Sequence, residues 1–251
     1  MTIIIKKASD IERYIKALVY GDPGIGKTTF AATGEGHPQL ERTLFINIEG
    51  GMLSIAGTSA EATEQLRDVD SVEEVFWGLA QKKEGWEHFQ TVVIDSGTEL
   101  QTMDLEGIVA EARKKNKKRS LDDIYLEDYG KSTARLKRVF RQFRDLPMHV
   151  IVTCLTKRVM PPNAQKTNAQ PRAIMPSLTE KLAMSLMGYM DFVWYMYIGE
   201  EGKREILTRD KGPYKAKTRG ARFSEALGER VVEPNLATIY DLLIETEGEQ
   251  S

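Results

Sequence analysis

Residues 21–28 read Gly21-Asp22-Pro23-Gly24-Ile25-Gly26-Lys27-Thr28, and the apolar run Ala17–Tyr20 leads straight into them. The stretch satisfies the pattern G-x-x-x-x-G-K-[ST], a phosphate loop. Its three glycines let successive backbone N–H groups turn inward around a phosphate. A helix starting near Lys27 would add the positive end of its dipole. Lys27 is then expected to reach the β- and γ-phosphates of a nucleoside triphosphate, and the Thr28 hydroxyl to bind Mg²⁺. A strand before the loop and a helix after it are the context this motif needs, which disfavours a Gly-rich turn that binds nothing.

Working outward, further apolar runs rich in β-branched residues occur at Thr43–Ile48, Thr91–Ile94 and Val150–Thr153. They do not alternate, and long helical segments separate them, so they read as buried strands of a parallel sheet. Val72, Val75, Phe76 and Leu79 recur at helical intervals, as do Leu136, Val139, Phe140 and Phe143. After Pro176 the pattern changes. A helix is expected over residues 178–190, then short strands at Phe192–Ile198, Glu205–Thr208 and Tyr214–Lys217 joined by Gly-containing turns. The expected fold is therefore α/β: a mainly parallel sheet flanked by helices, with an antiparallel β extension near the C-terminus. Glu233-Pro234-Asn235 opens a last helix, and an acidic tail follows over residues 245–251. All of it fits one domain, with a core over 16–156, a loop over 157–176 and the helix and β extension over 177–244.

Composition narrows the function classes. Hydrophobic residues make up 41% of the 251 and charged residues 29%, enough for a packed core. Thirty-five Lys and Arg stand against 37 Asp and Glu. That balance excludes a globally basic nucleic-acid clamp but leaves room for local basic patches. One cysteine, Cys154, excludes a disulfide framework and a multi-cysteine zinc site. No apolar run approaches the ~18 residues that span a bilayer, so a cytoplasmic protein without a membrane partner is expected.

A phosphate loop needs a metal-side carboxylate on a neighbouring strand. Thr91-Val92-Val93-Ile94-Asp95-Ser96 ends in one, and Asp95 would hold Mg²⁺ through its water shell; the competing reading makes Asp95 a helix cap. The strand ending Asn47-Ile48-Glu49 presents a second acid where ligands bind in open α/β sheets. Glu49 is suited to polarise an attacking water as general base.

This order of strands and acids resembles the RecA/DnaB class of phosphate-loop ATPases, over residues 17–243. More narrowly it resembles compact phage nucleotide-binding proteins with a RecA-like core, a group that includes single-strand annealing recombinases. The resemblance rests on the run from Tyr20 through Thr28 to Thr29-Phe30-Ala31, and on Ala216-Lys217-Thr218-Arg219. It implies an ATP site formed by Gly21, Asp22, Pro23, Gly24, Ile25, Gly26, Lys27, Thr28, Thr29 and Asp95, with Mg²⁺ on Thr28 and Asp95 and Glu49 as catalytic base. It further implies that Lys217 and Arg219 act as fingers on the ATP of a neighbouring subunit, in a homo-oligomer with sites at its interfaces. Single-stranded DNA is the implied partner, in recombination or strand annealing, with a single-strand DNA-binding protein as a possible second one. A helicase or translocase motor and a nucleotide-gated interaction module are the alternatives.

Two basic stretches are expected to contact DNA phosphates. Arg113-Lys114-Lys115-Asn116-Lys117-Lys118-Arg119 holds six basic residues in seven, and a solvated helix end competes with the DNA reading. Residues 157–176 carry Lys157, Arg158, Lys166 and Arg172 and no acid, and read as a long loop. The strand end at Thr153 lacks the Gln or His of many relatives, leaving Thr153 or Thr156 to sense the γ-phosphate. No aromatic after Glu49 offers a stack for the base. GTPases are disfavoured because Thr156-Lys157-Arg158-Val159 lacks the required Asp, and transporter ATPases because a Ser-Gly-Gly signature is missing. Nucleoside kinases would need an Arg-rich lid, and AAA+ machines a helical lid, where this chain has strands.

Overall fold

The protein is described from a computed structural model, over residues 14–162 and 169–248. In chain order the elements are β1 (Lys16–Gly21), α1 (Lys27–Ala31), β2 (Thr43–Asn47), a 3-10 turn (Met52–Ile55), β3 (Glu61–Ala62), α2 (Val69–Ala80), β4 (Thr91–Asp95) and α3 (Gly97–Lys115). Then come α4 (Leu126–Arg144), β5 (His149–Val159), β6 (Ala173–Pro176), α5 (Glu180–Tyr189), β7 (Phe192–Ile198), β8 (Arg204–Leu207), β9 (Lys217–Thr218), α6 (Ala221–Leu227), β10 (Arg230–Val232) and α7 (Leu236–Gly248).

The sheet order is β10-β8-β7-β1-β5-β4-β2-β3, with β6 on β5 and β9 on β7. From β7 to β3 every neighbour is parallel, and β6, β8, β9 and β10 join antiparallel. The expected fold class holds, with one relocation. Residues 192–198 do not begin the antiparallel extension; β7 lies parallel to β1, with Ala17 opposite Phe192 and Gly21 opposite Met196. Its cause is α5, a crossover helix between β6 and β7 that returns the chain to the same edge.

Alternation along the strands feeds two cores. Leu18, Tyr20, Ile46, Ile94 and Val152 face α2 to α5, where Val72, Leu100, Phe140 and Leu182 meet them. Ala17, Val19, Phe45, Val93 and Ile151 face the other way, against Phe30 of α1 and Leu236 and Ile239 of α7. Helix starts are set locally. The Asp68 carboxylate accepts from Ser71 N at 2.7 Å, which holds its pKa below the usual range, and Ser96 Oγ accepts from Glu99 N at 3.3 Å. Among the described residues no helix is long and apolar enough to cross a membrane.

Two expectations about basic segments change. The segment 157–176 is not one long loop, because β5 continues to Val159 and pairs antiparallel with β6, Lys157 opposite Met175. A polar composition disguised a hairpin whose backbone groups are satisfied by pairing. Residues 113–115 form the last turn of α3, which puts them a full helix, about 28 Å at 1.5 Å per residue, from the strand end at Asp95.

At the opposite edge from the phosphate loop, His149 opens β5 and is buried. Its Nδ1 accepts from Ile15 N at 3.0 Å. Burial, with the Lys16 and His37 charges nearby, pushes its pKa down to about 4. A histidine depressed when folded binds more protons unfolded, so stability is full above pH 6.5 and falls as pH drops towards 4. The loss should approach roughly 3 kcal/mol. His149→Asn, whose Oδ1 can still accept from Ile15 N, should flatten that limb in urea titrations between pH 6.5 and 4; an unchanged slope would move the acid sensitivity elsewhere.

Candidate nucleoside triphosphate site

The site is built on the strand ends. β1 delivers the chain at Gly21, opposite Leu155 of β5 and Met196 of β7. A Cβ at Gly21 would lie 2.5 Å from the Met196 carbonyl oxygen, so only glycine fits there. Gly26, at φ +103, turns the chain into α1. That helix spans only five residues, so its dipole adds less than the sequence promises.

Lys27 is buried, and its Nζ donates to the carbonyls of Gly21 at 3.1 Å and Asp22 at 2.9 Å. Burial lowers its pKa, and the Glu49 and Asp95 carboxylates oppose that shift. The ammonium therefore sits over the mouth of its own loop, close to both acids.

Thr28 Oγ1 donates to Asp95 Oδ2 at 2.9 Å. Asp95 is buried at the end of β4, and its other oxygen accepts from the Thr153 hydroxyl of β5. The carboxylate is thus fixed on both sides. Ser96, not Asp95, caps α3, which removes the competing reading of Asp95. The Thr153 hydroxyl is engaged by Asp95, which it helps to orient. Thr156 Oγ1 is buried without a hydrogen-bond partner.

Glu49 is exposed just past β2, with its backbone N donating to Asp95 O at 3.2 Å. Sequence reading missed what holds it. Asn47 Oδ1 accepts from Gly50 N at 2.9 Å, and Gln65 Nε2 donates to Ile48 O at 3.1 Å. A hydroxyl and a carboxylate meeting at 2.9 Å fit Mg²⁺, which takes few protein oxygens and completes its shell with phosphate and water. Among the described residues no three His, Cys, Asp or Glu cluster as a self-sufficient metal site. Cys154 is buried, its thiol pushed up to about 12 by burial, and is chemically quiet.

The remaining named residues lie elsewhere. Lys217 and Arg219 stand at the strand-start edge, with Lys217 opposite Val193, away from the loop of their own chain. Lys217 Nζ donates to Met187 O at 2.6 Å, and Arg219 pairs with Asp191 at 2.7 Å. Lys114, Lys115, Lys117 and Lys118 are exposed, but Arg119 is buried in an ion pair with Asp128 and stacks on Tyr125. Lys157 Nζ donates to Leu178 O at 3.0 Å, Arg172 pairs with Glu180 at 3.0 Å, and Arg158 is exposed on β5. Lys166 lies outside the described residues. The structure therefore unites Gly21 to Thr28, Asp95 and Glu49; the lysines at the end of α3 lie a helix length away from them, whereas Lys157 and Arg158 follow Leu155, the partner of Gly21, along β5.

No curated protein matches the chain. A family model described as an AAA domain matches residues 13–220. The match corrects the expectation that strands in place of a helical lid set AAA-type proteins apart, while leaving the phosphate-loop reading intact. With a loop of this geometry at its centre and most of its length matched, the chain belongs to the AAA domain family of phosphate-loop ATPases.

Proposed function

We propose that the protein binds ATP with Mg²⁺ and hydrolyses it while acting on single-stranded DNA, in recombination or strand annealing of the phage type. The observation that carries the ATPase part is the chain of contacts from Thr28 through Asp95 to Thr153, beside the Lys27 ammonium. The loop amides and Lys27 would hold the β- and γ-phosphates. Thr28 and, through water, Asp95 would hold Mg²⁺, whose chemistry there would be charge neutralisation on the transferred phosphoryl group. Glu49 takes the proton of the attacking water as its oxygen bonds to the γ-phosphorus and ADP leaves.

The DNA part is supported by the exposed lysines at the end of α3 and by Arg158 on the β5–β6 hairpin. The oligomer part is supported by the placement of Lys217 and Arg219 at the strand-start edge, away from the loop of their own chain. A neighbouring copy packing this edge against the loop would exchange their present carbonyl and Asp191 partners for phosphate.

Three measurements test this reading. Lys27→Ala should abolish ATP binding, and Glu49→Gln should keep binding while slowing turnover by ~10²-fold or more; parental turnover in either would refute the assigned roles. Mixing Lys217→Ala/Arg219→Ala protein with Lys27→Ala protein should restore ATPase activity, because one interface then joins an intact loop to intact fingers. Absence of rescue, with an ATPase rate independent of protein concentration, would deny the shared site. Lys117→Ala/Lys118→Ala should weaken single-stranded DNA binding and reduce its salt slope by ~0.7 per lost contact. Unchanged affinity and slope would leave these lysines as a solvated helix end.

A further inference from the structure

Beyond Thr28 the loop borders a second, smaller space. The exposed Thr29 and the outer face of Gly26 form one wall of a cavity of about 180 Å³, and Arg204, Met196 and Pro234 form the other. That is less than a whole small-molecule site occupies, but it is contiguous with the phosphate loop, as a subsite for part of a ligand would be.

The wall is assembled from three parts of the chain. Arg204 opens β8, and its Nε donates to Ile25 O at 3.0 Å. A Cβ on Gly26 would lie 2.8 Å from that Nε, so the guanidinium lies directly against the loop and any side chain at 26 would displace it. Arg204 O accepts from Glu233 N at 2.7 Å, which ties the segment leading to Pro234 to the same strand. Leu236 N donates to Thr33 Oγ1 at 2.7 Å and pins the start of α7 to the turn after α1.

The sheet order sets the direction of a polyphosphate in the loop. Asp95 and Glu49 follow β4 and β2, on the β5 side of β1, and the terminal phosphate must face them. The other end then leaves towards β7 and β8, where Thr29 and Arg204 stand. We infer that Arg204 is the platform for the nucleobase of the bound nucleotide, its guanidinium stacking on the ring face, with Thr29 beside the sugar–phosphate joint. This rests on the phosphate-loop reading above. A guanidinium is planar and weakly hydrated, so it stacks on a π face while Nε keeps its bond to the loop carbonyl. The assignment also supplies the base contact that the sequence lacks after Glu49.

Calorimetric titration of the full chain with Mg²⁺-ATP and, separately, with Mg²⁺-tripolyphosphate tests the assignment. Arg204→Ala should weaken ATP about 3- to 30-fold and leave tripolyphosphate unchanged, because only ATP carries a base. Arg204→Lys keeps the charge and loses the plane, and should weaken ATP to a similar extent. Equal losses for both ligands would make Arg204 a brace of the loop or a phosphate contact and overturn the inference. Unchanged ATP affinity would place the base elsewhere. If the parental chain binds neither ligand, the phosphate-loop reading falls and this inference with it; if Lys27→Ala loses both ligands while Arg204→Ala loses neither, only the inference falls.

Discussion

The carboxylate of Asp95 is the point on which the site depends. One oxygen accepts from Thr28, the first turn of α1, and the other from Thr153 of β5. The helix after the loop is thereby tied to β4 and β5, which already pair beside each other, and the loop inherits its position from the sheet. An anion buried with two hydroxyl donors and a nearby ammonium is compensated by hydrogen bonds and charge together. The same arrangement holds the carboxylate in one orientation beside Thr28, the kind of preorganisation that the proposed phosphoryl transfer would use.

The two edges of the sheet are chemically unlike. At the strand-end edge lie the loop glycines, and the charged groups Lys27, Asp95 and Glu49 converge. At the strand-start edge buried ionisable groups are closed off against backbone. Lys16 Nζ donates to Leu146 O and Met148 O, both at 2.6 Å, its pKa pulled down to about 8 by burial, and His149 accepts from Ile15 N. These groups tie β1 and β5 to the end of α4 and serve the fold. Lys217 and Arg219 share this edge but reach its rim, which is why they alone among its cations have a proposed external role.

Much of the fold was legible because its signals are local. The phosphate loop, the apolar strands and the helical periodicity of residues 72–79 and 136–143 each follow from a few adjacent residues, and the acids at 49 and 95 follow from strands ending where they do. What stayed hidden depends on partners distant in sequence. The hydroxyl of Thr153 looked free until β4 placed Asp95 beside it, 58 residues away. Arg119 looked like a DNA-facing cation until α4 supplied Asp128. The polar segment after Lys157 read as a loop because strand pairing between β5 and β6 satisfies its backbone in a way composition cannot announce.

The largest misreading, of residues 192–198, and the missed Arg204 are one error. Had this strand belonged to an outlying extension, nothing after it would lie near the loop. Because β7 runs parallel to β1, Met196 stands opposite Gly21, and the strand overshoots the loop by two residues to Ile198. The hairpin then turns at Gly199–Gly202, and Arg204 pairs with Ile198 on the way back. A residue at the first position of β8 is therefore set at loop height by register alone, and its side chain needs only one hydrogen bond, to Ile25 O, to lie along Gly26. The strands that looked like an appendage are thus an extension of the site, since the parallel strand fixes where the antiparallel one must begin.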